Sequence, residues 1–367
     1  MKTRGSGLLA AALALCAGAT TLFAQIPLVR TPPGQETPQM LTLKPKAENV
    51  PDIPVKVVPD FMKLPPNARY LMGEGIGVSR NSKGMIYVNT CSQQTRVLEF
   101  DANGNFTREI GKDLFGLIWC HGVRVDPQDN IWAIDSGSNM MIRFNPAGRV
   151  TMVIGRRPEY PVSGLISSPG YNETPPPYVM NRPTDVAFDK AGNIFVSDGY
   201  TNARVIKYDK TGRFVKQAGT RGSGPGQLTL PHAIAVGPQG DVYVGSRSDQ
   251  RIVVFDNDLN YKTVFDQTGA PWSLCIGPAS RPYLWTSNSN PDSQNTPLHE
   301  VTGQIFKMEL DGKTVGKFGV PGKEQGQFST VHGIDCSVEN EILTTEITQW
   351  RMQKFILQPT ASKGSKQ

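Results

Sequence analysis

Short apolar stretches with period-two alternation, separated by Asp/Gly-type turns, recur along most of this chain. Three segments carry the pattern most clearly: residues 121–150 (HGVRVDPQDNIWAIDSGSNMMIRFNPAGRV), 184–215 (TDVAFDKAGNIFVSDGYTNARVIKYDKTGRFV) and 232–256 (HAIAVGPQGDVYVGSRSDQRIVVFD). Each reads as strand, turn, strand, polar loop, strand, turn, built from β-branched and aromatic residues. Weaker copies open at Glu74, Trp272 and His332, and residues 301–319 supply the outer strands of the fifth unit. A single four-stranded unit cannot bury both of its faces. Units stacked around an axis can, and the ring then closes on itself. The pattern therefore predicts an all-β fold, a six-bladed β-propeller over residues 67–357, with insertions at about 158–179 and 288–301. A seventh blade would require strands within residues 30–66.

The flanks lack this alternation. Lys2 and Arg4 precede an apolar run from Gly7 to Ala19, and Ala24 offers a small residue before Gln25. That run is too short to span a bilayer as a mature helix, so residues 1–24 read as a secretory signal and predict an exported product, periplasmic or secreted. Cys16 after Leu15 fits a lipoprotein cleavage site poorly. Residues 25–66 are proline-rich and read as an arm laid on the surface; residues 358–367 read as a disordered tail. The formal charge of +6 falls to +4 without Lys2 and Arg4, and the remaining charges form no basic block, which argues against a nucleic-acid partner. Cys91 and Cys120 are a possible bridge between the first two units. Cys275 and Cys336 sit in core-strand contexts that suit packed thiols equally well.

Composition becomes informative once the six units are aligned on their opening alternation. The first positions are then Glu74, His121, Thr184, His232, Trp272 and His332. Innermost strands line a propeller's axial channel, so equivalent positions form a ring at one level. The chain has four histidines, and three of them fall at alternate positions of this ring; the fourth, His299, lies in an insertion. One such histidine would be an ordinary core or rim residue. Three at threefold spacing converge on the axis, and three neutral imidazoles with an open fourth position describe a catalytic zinc centre. Iron, cobalt or manganese would accept the same ligands, and Glu74 is a further candidate ligand or base at the same level. Tyr200, after the second strand of unit three, and Arg247, on the equivalent loop of unit four, stand beside this face. A tyrosine there can serve as a base and an arginine as a carboxylate clamp. Asp135, Asp198 and Glu346 recur at one repeat position, which points to a structural turn rather than to chemistry.

The whole pattern resembles the NHL-repeat family. Residues 182–236 and 112–137 are more specifically similar to the core of peptidyl-α-hydroxyglycine α-amidating lyases. That resemblance implies zinc on His121 (in CHGV), His232 (in PHAI) and His332 (in VHGI), a catalytic Tyr200 after FVSDG, and an active-site Arg247. It implies cleavage of an α-hydroxyglycine carbinolamide, from a peptide or small molecule, to an amide and glyoxylate. The sequence departs from the family at three places. A first-blade arginine is replaced within VNTCSQQ, where Thr90 and Cys91 stand. The aspartate that follows the third histidine and helps hold a structural calcium is replaced by Gly333, with Asp335 nearby. The family's cysteine pair is absent, Met180 and Thr201 standing in its place. The rival reading from another class is a non-catalytic NHL propeller that binds a protein or glycan through the 158–179 insertion. A calcium-dependent lactonase-like propeller fits less well, because the ring is mostly imidazole.

Overall fold

The computed structural model describes residues 44–64, 72–91, 95–112, 114, 117–156, 175–289 and 303–359. The segment read as signal, most of the tail and of both insertions, and His299 lie outside the described residues. Among those described there is no helix, and none long and apolar enough to cross a membrane. Six four-stranded antiparallel sheets account for nearly all the strands. Blade two is representative, with Cys120–Val125 innermost, then Ile131–Asp135, Met140–Phe144 and Val150–Gly155.

Local chemistry explains the repeat. In the first hairpin of blade three, Asp189 Oδ1 accepts the backbone N–H groups of Ala191 and Asn193 at 2.9 and 2.8 Å, and Gly192 takes φ +85°. The aspartate replaces the missing backbone partner of a tight turn, and glycine supplies the left-handed residue. Asp126 does the same for Gln128 and Asn130 in blade two. Between neighbouring blades lie six separate apolar clusters, one per interface. Trp132, Ile194 and Tyr208 fill the cleft between blades two and three, and Phe318, Phe328 and Phe355 that between five and six. Each such ring buried from water contributes roughly 1.5–3 kcal/mol, so the ring is held by side-by-side packing of blades rather than by one central core.

Closure departs from the sequence reading. Blade six consists of Val331–Asp335, Glu341–Glu346 and Arg351–Leu357, and its outer strand is Val55–Val58, paired antiparallel so that Val55 faces Leu357 and Val57 faces Phe355. This strand lies inside the segment read as a surface arm. Its four residues are too few, and too closely flanked by Pro54 and Pro59, to show a periodicity of their own. They complete the sixth blade and add no seventh. Chain ends from opposite sides of the sequence thus share one sheet. Two disulfides tie blades together as well: Cys91–Cys120 joins one to two, and Cys275–Cys336 joins five to six with Cα atoms 6.0 Å apart. The second pair is bridged because the inner strands of adjacent blades bring residues 61 apart in sequence side by side.

Val55 and Val57 turn toward the core shared with Phe355, whereas Lys56 faces outward. Placing aspartates at both valines should cost about 2–4 kcal/mol through lost apolar burial and buried charge. Lys56→Asp should change stability little. Denaturant titration of the two variants reads the difference.

Candidate metal centre and catalytic site

Each inner strand carries an irregularity at the level where it meets the axis. In blade two, Cys120 pairs with Asp135 and Gly122 with Ile134, so His121 is an extra, unpaired residue. The same slip frees His232 in blade four and His332 in blade six. A bulge of this kind breaks the alternation and re-aims one side chain. Here it turns the imidazole off the blade face and toward the axis. In blade one the extra residue is Ile76, because Gly75 pairs with Thr90 and Gly77 with Asn89. Glu74 therefore lies two residues before the ring, paired with Cys91, and is not at the histidine level. The sequence alignment misplaced it because blade one's strand starts earlier than its alternation suggests.

The ring positions alternate between a histidine and a residue whose carbonyl accepts its hydrogen bond. His121 Nδ1 lies 2.6 Å from the Thr184 carbonyl, His232 Nδ1 2.7 Å from that of Trp272, and His332 Nδ1 2.8 Å from that of Ile76. A carbonyl only accepts, so each Nδ1 carries the proton and donates it. Every Nε2 is left with its lone pair directed to the axis. The three ring centroids are 4.7, 4.8 and 4.8 Å apart, and one ligand atom from each histidine lies within 4.8 Å of the others. All three are buried, and burial drives their pKa values far down, that of His121 to about 3; the Arg247 guanidinium pushes in the same direction. Neutral imidazole with a fixed tautomer is the form a metal requires, and the donor set fits zinc.

Tyr200 and Arg247 come to the same place. The Tyr200 hydroxyl is 2.9 Å from His121 Nε2 and 3.5 Å from His232 Nε2. The Arg247 guanidinium stacks 4.1 Å over the Trp272 ring and 5.7 Å from the Tyr200 ring centre. Its Nη1 is buried, with no hydrogen-bond partner among the described residues, and so is Trp272 Nε1. Asp135 and Asp198 do structural work, as their recurrence suggested. Asp135 accepts the N–H groups of Ile118, Trp119 and Ser138, and Asp198 holds Asn202 and Arg204. Sequence reasoning missed Trp119, whose indole lies 5.3 Å from the Tyr200 ring, and Arg182, whose guanidinium lies 5.5 Å over that indole. The one signal was an exposed-type aromatic immediately before the CHGV motif. It also gave Trp272 no role beyond a ring position.

Below the histidines the axis holds an organic cation. Arg124 makes a bidentate pair with Asp185 at 2.8 and 2.6 Å and donates to the Leu274 carbonyl at 3.1 Å. These groups line the same axial cavity of about 20 Å³ as the three histidines. The calcium that the resemblance brings does not fit here. A Cβ on Gly333 would sit 2.4 Å from Thr345 Oγ1 and 3.0 Å from the Ile76 carbonyl, so an aspartate there would force Thr345 and the inter-strand contact to shift. Asp335 is turned to Arg80, whose backbone N–H it accepts at 3.0 Å and whose Nε lies 3.3 Å away.

Fold and site together define a six-bladed β-propeller with an axial three-histidine centre. A family model described as a 6-bladed beta-propeller matches residues 173–309. The chain is similar to the peptidylglycine alpha-amidating monooxygenase of Rattus norvegicus, 31% identical over 173 residues covering 45% of this chain and 16% of that protein. It is 26% identical to peptidyl-alpha-hydroxyglycine alpha-amidating lyase 1 of Drosophila melanogaster over 299 residues, 76% of this chain and 51% of the relative. NHL repeat-containing protein 3 of Mus musculus matches at 26% over 206 residues, 53% of this chain and 55% of the relative. The chain thus spans from about a sixth to about half the length of these curated relatives.

Two outcomes test the axis. Arg124→Met should destabilise the fold by about 3–5 kcal/mol, because Asp185 is left as an unpaired buried charge, and calcium or a calcium chelator should leave the wild-type melting temperature unchanged. Acid should act through the histidines. Their folded pKa values are depressed, so below about 6.5 the unfolded chain takes up protons that the folded chain refuses. Without added metal, stability is full above that pH and is lost as pH falls toward 3, with a slope of up to about 4 kcal/mol per unit for three sites. Denaturant titrations at several pH values measure that slope, and His332→Gln should reduce it by about a third.

Proposed function

We propose that this protein is a zinc-dependent lyase that cleaves the C–N bond of an N-acylated α-hydroxyglycine, giving an amide and glyoxylate. The observation that supports this most is the Nδ1–H to carbonyl lock on His121, His232 and His332, with the Tyr200 hydroxyl within hydrogen-bond reach of two of the freed Nε2 atoms. Bound there, zinc would supply Lewis acidity that lowers the pKa of a coordinated hydroxyl.

The chain's own groups account for the rest. Tyr200, as its phenolate, takes the proton from the substrate hydroxyl and then delivers it to the departing amide nitrogen. The O–H electrons form the carbonyl, the C–N bond breaks, and its electron pair leaves with the amide nitrogen. That nitrogen gains one proton, so the net change is a proton moved from oxygen to nitrogen. Arg247, with its buried unpartnered Nη1, pairs with the substrate carboxylate. Stacking on Trp272 fixes the direction of the fork. We also place the protein outside the cytosol, in a periplasm or secreted, where the two disulfides would persist. The rival reading, a non-catalytic binding propeller, draws on the similarity to the mouse NHL repeat protein and needs no metal.

Elemental analysis of the mature protein and of a His232→Ala variant separates the two. The lyase reading expects about one zinc per chain, lost in the variant, and glyoxylate release from α-hydroxyglycine peptides. Tyr200→Phe should keep the zinc and lower kcat by about 10²–10⁴-fold. A protein that takes up no metal when zinc is supplied would leave the binding propeller as the better account.

A further inference from the structure

The turn before the first histidine strand presents two large apolar side chains to solvent in a fixed geometry. Ile118 is 52% exposed and Trp119 39% exposed, although they directly precede the buried Cys120 and His121. Asp135 Oδ1 accepts both of their N–H groups, at 2.9 and 2.8 Å, and the Trp119 carbonyl accepts the N–H of Ser136 at 2.9 Å. Gly137 closes over the turn so tightly that a Cβ there would lie 2.8 Å from the Trp119 nitrogen. Leaving apolar surface in water is unfavourable, and here the backbone holds it rigidly at the lip of the metal centre. The indole faces Tyr200 at 5.3 Å with a 31° tilt, and Arg182 caps it at 5.5 Å. Arg182 is itself anchored, its N–H on Asn139 Oδ1 at 2.8 Å and its carbonyl accepting the Tyr200 N–H at 3.3 Å.

Blade order assigns this surface a ligand. Around the ring, Trp119 comes from blade two, Tyr200 from blade three and Arg247 from blade four. The carbinol carbon of an α-hydroxyglycine carries a hydrogen, a hydroxyl, a carboxylate and the acylamino nitrogen. With the hydroxyl at Tyr200 and the histidines and the carboxylate at Arg247, the acylamino arm departs toward the opposite flank of Tyr200. We propose that Ile118 and Trp119 form an acyl-binding shelf, which selects carbinolamides bearing a large apolar or aromatic group next to the amide. The proposal rests on the lyase reading for its substrate. The shelf itself is a property of the turn. Trp119 is a specificity-determining residue, since it acts on the acyl group and not on the reacting atoms.

The test compares N-benzoyl-α-hydroxyglycine with N-acetyl-α-hydroxyglycine on wild type, Trp119→Ala and Trp119→Phe, each checked for fold by thermal melting. Alongside it, N-benzoylglycine and N-acetylglycine, which lack the hydroxyl and cannot react, are titrated calorimetrically into zinc-supplied protein. The shelf predicts a wild-type preference for benzoyl of about tenfold in both kcat/KM and affinity. Trp119→Ala should lose that preference mainly through KM, and Trp119→Phe should keep most of it. Reaction of the acetyl substrate should fall less than that of the benzoyl substrate in Trp119→Ala. Equal handling of the two acyl groups by wild type, or a preference that survives Trp119→Ala, overturns the shelf. If neither hydroxy substrate is cleaved but benzoylglycine binding still depends on Trp119, the lyase reading fails and the shelf stands. If neither cleavage nor a Trp119-dependent binding difference is seen, both fall.

Discussion

The contact on which the rest depends is the hydrogen bond from a histidine Nδ1–H to a backbone carbonyl of the next blade. Three such bonds run from blade two to three, four to five and six to one. Each does two things. It satisfies a polar atom deep inside a sheet-lined channel, where an unpaired donor would cost about 1–3 kcal/mol. It also fixes the ring tautomer and rotation, so that the opposite nitrogen points at one shared location. The bond exists because a bulge leaves both the histidine and its acceptor residue outside the ladder, at the level where adjacent inner strands are closest. A regular strand would have committed the Thr184 and Ile76 carbonyls differently and aimed the imidazoles into the blade interfaces. The small residues that follow, Gly77, Gly122 and Gly333, let those strands approach; a Cβ on Gly77 would lie 2.5 Å from the Val123 nitrogen.

The same lock explains how the centre tolerates its own electrostatics. Three imidazoles with centroids less than 5 Å apart could not all take a second proton and become charged together. Burial enforces the neutral form, and Arg247 at the rim reinforces it. Further down the channel the opposite problem arises, since the Asp185 carboxylate is buried. The chain meets that charge with Arg124, whose planar fork satisfies both carboxylate oxygens and still reaches a carbonyl. An aspartate at position 333 would crowd Thr345 across the inter-strand contact.

What was legible in the sequence followed what local chemistry encodes. Period-two alternation and the Asp/Gly turns of residues 184–215 exposed the repeat, and recurrence at one position exposed the histidines without any structure. Glu74 was misassigned because blade one's inner strand begins two residues before its bulge, and alternation does not reveal which residue is the extra one. Val55–Val58 was missed because four residues between prolines carry no period, and their partner lies three hundred residues away. The Cys275–Cys336 bridge and the Arg124–Asp185 pair escaped for a related reason. Both join residues whose proximity is set by the closing of the ring.

The locality of these features also separates what the blades must keep from what they can vary. The ring positions are constrained twice, by a bulge and by an acceptor carbonyl on the neighbouring blade, so replacing any one histidine disturbs two blades. The mouth is constrained less. Trp119, Arg182 and Arg247 are held by turns and by stacking rather than by the ladder, and their side chains meet one another, Tyr200 or Trp272. A propeller built this way can keep a metal geometry fixed while the residues around its entrance change which molecule reaches the axis. The bridge from Cys91 to the residue before His121 lies beside that layer. It leaves the three Nδ1 locks untouched, so the contacts that fix the histidines and those that shape the mouth are physically separable.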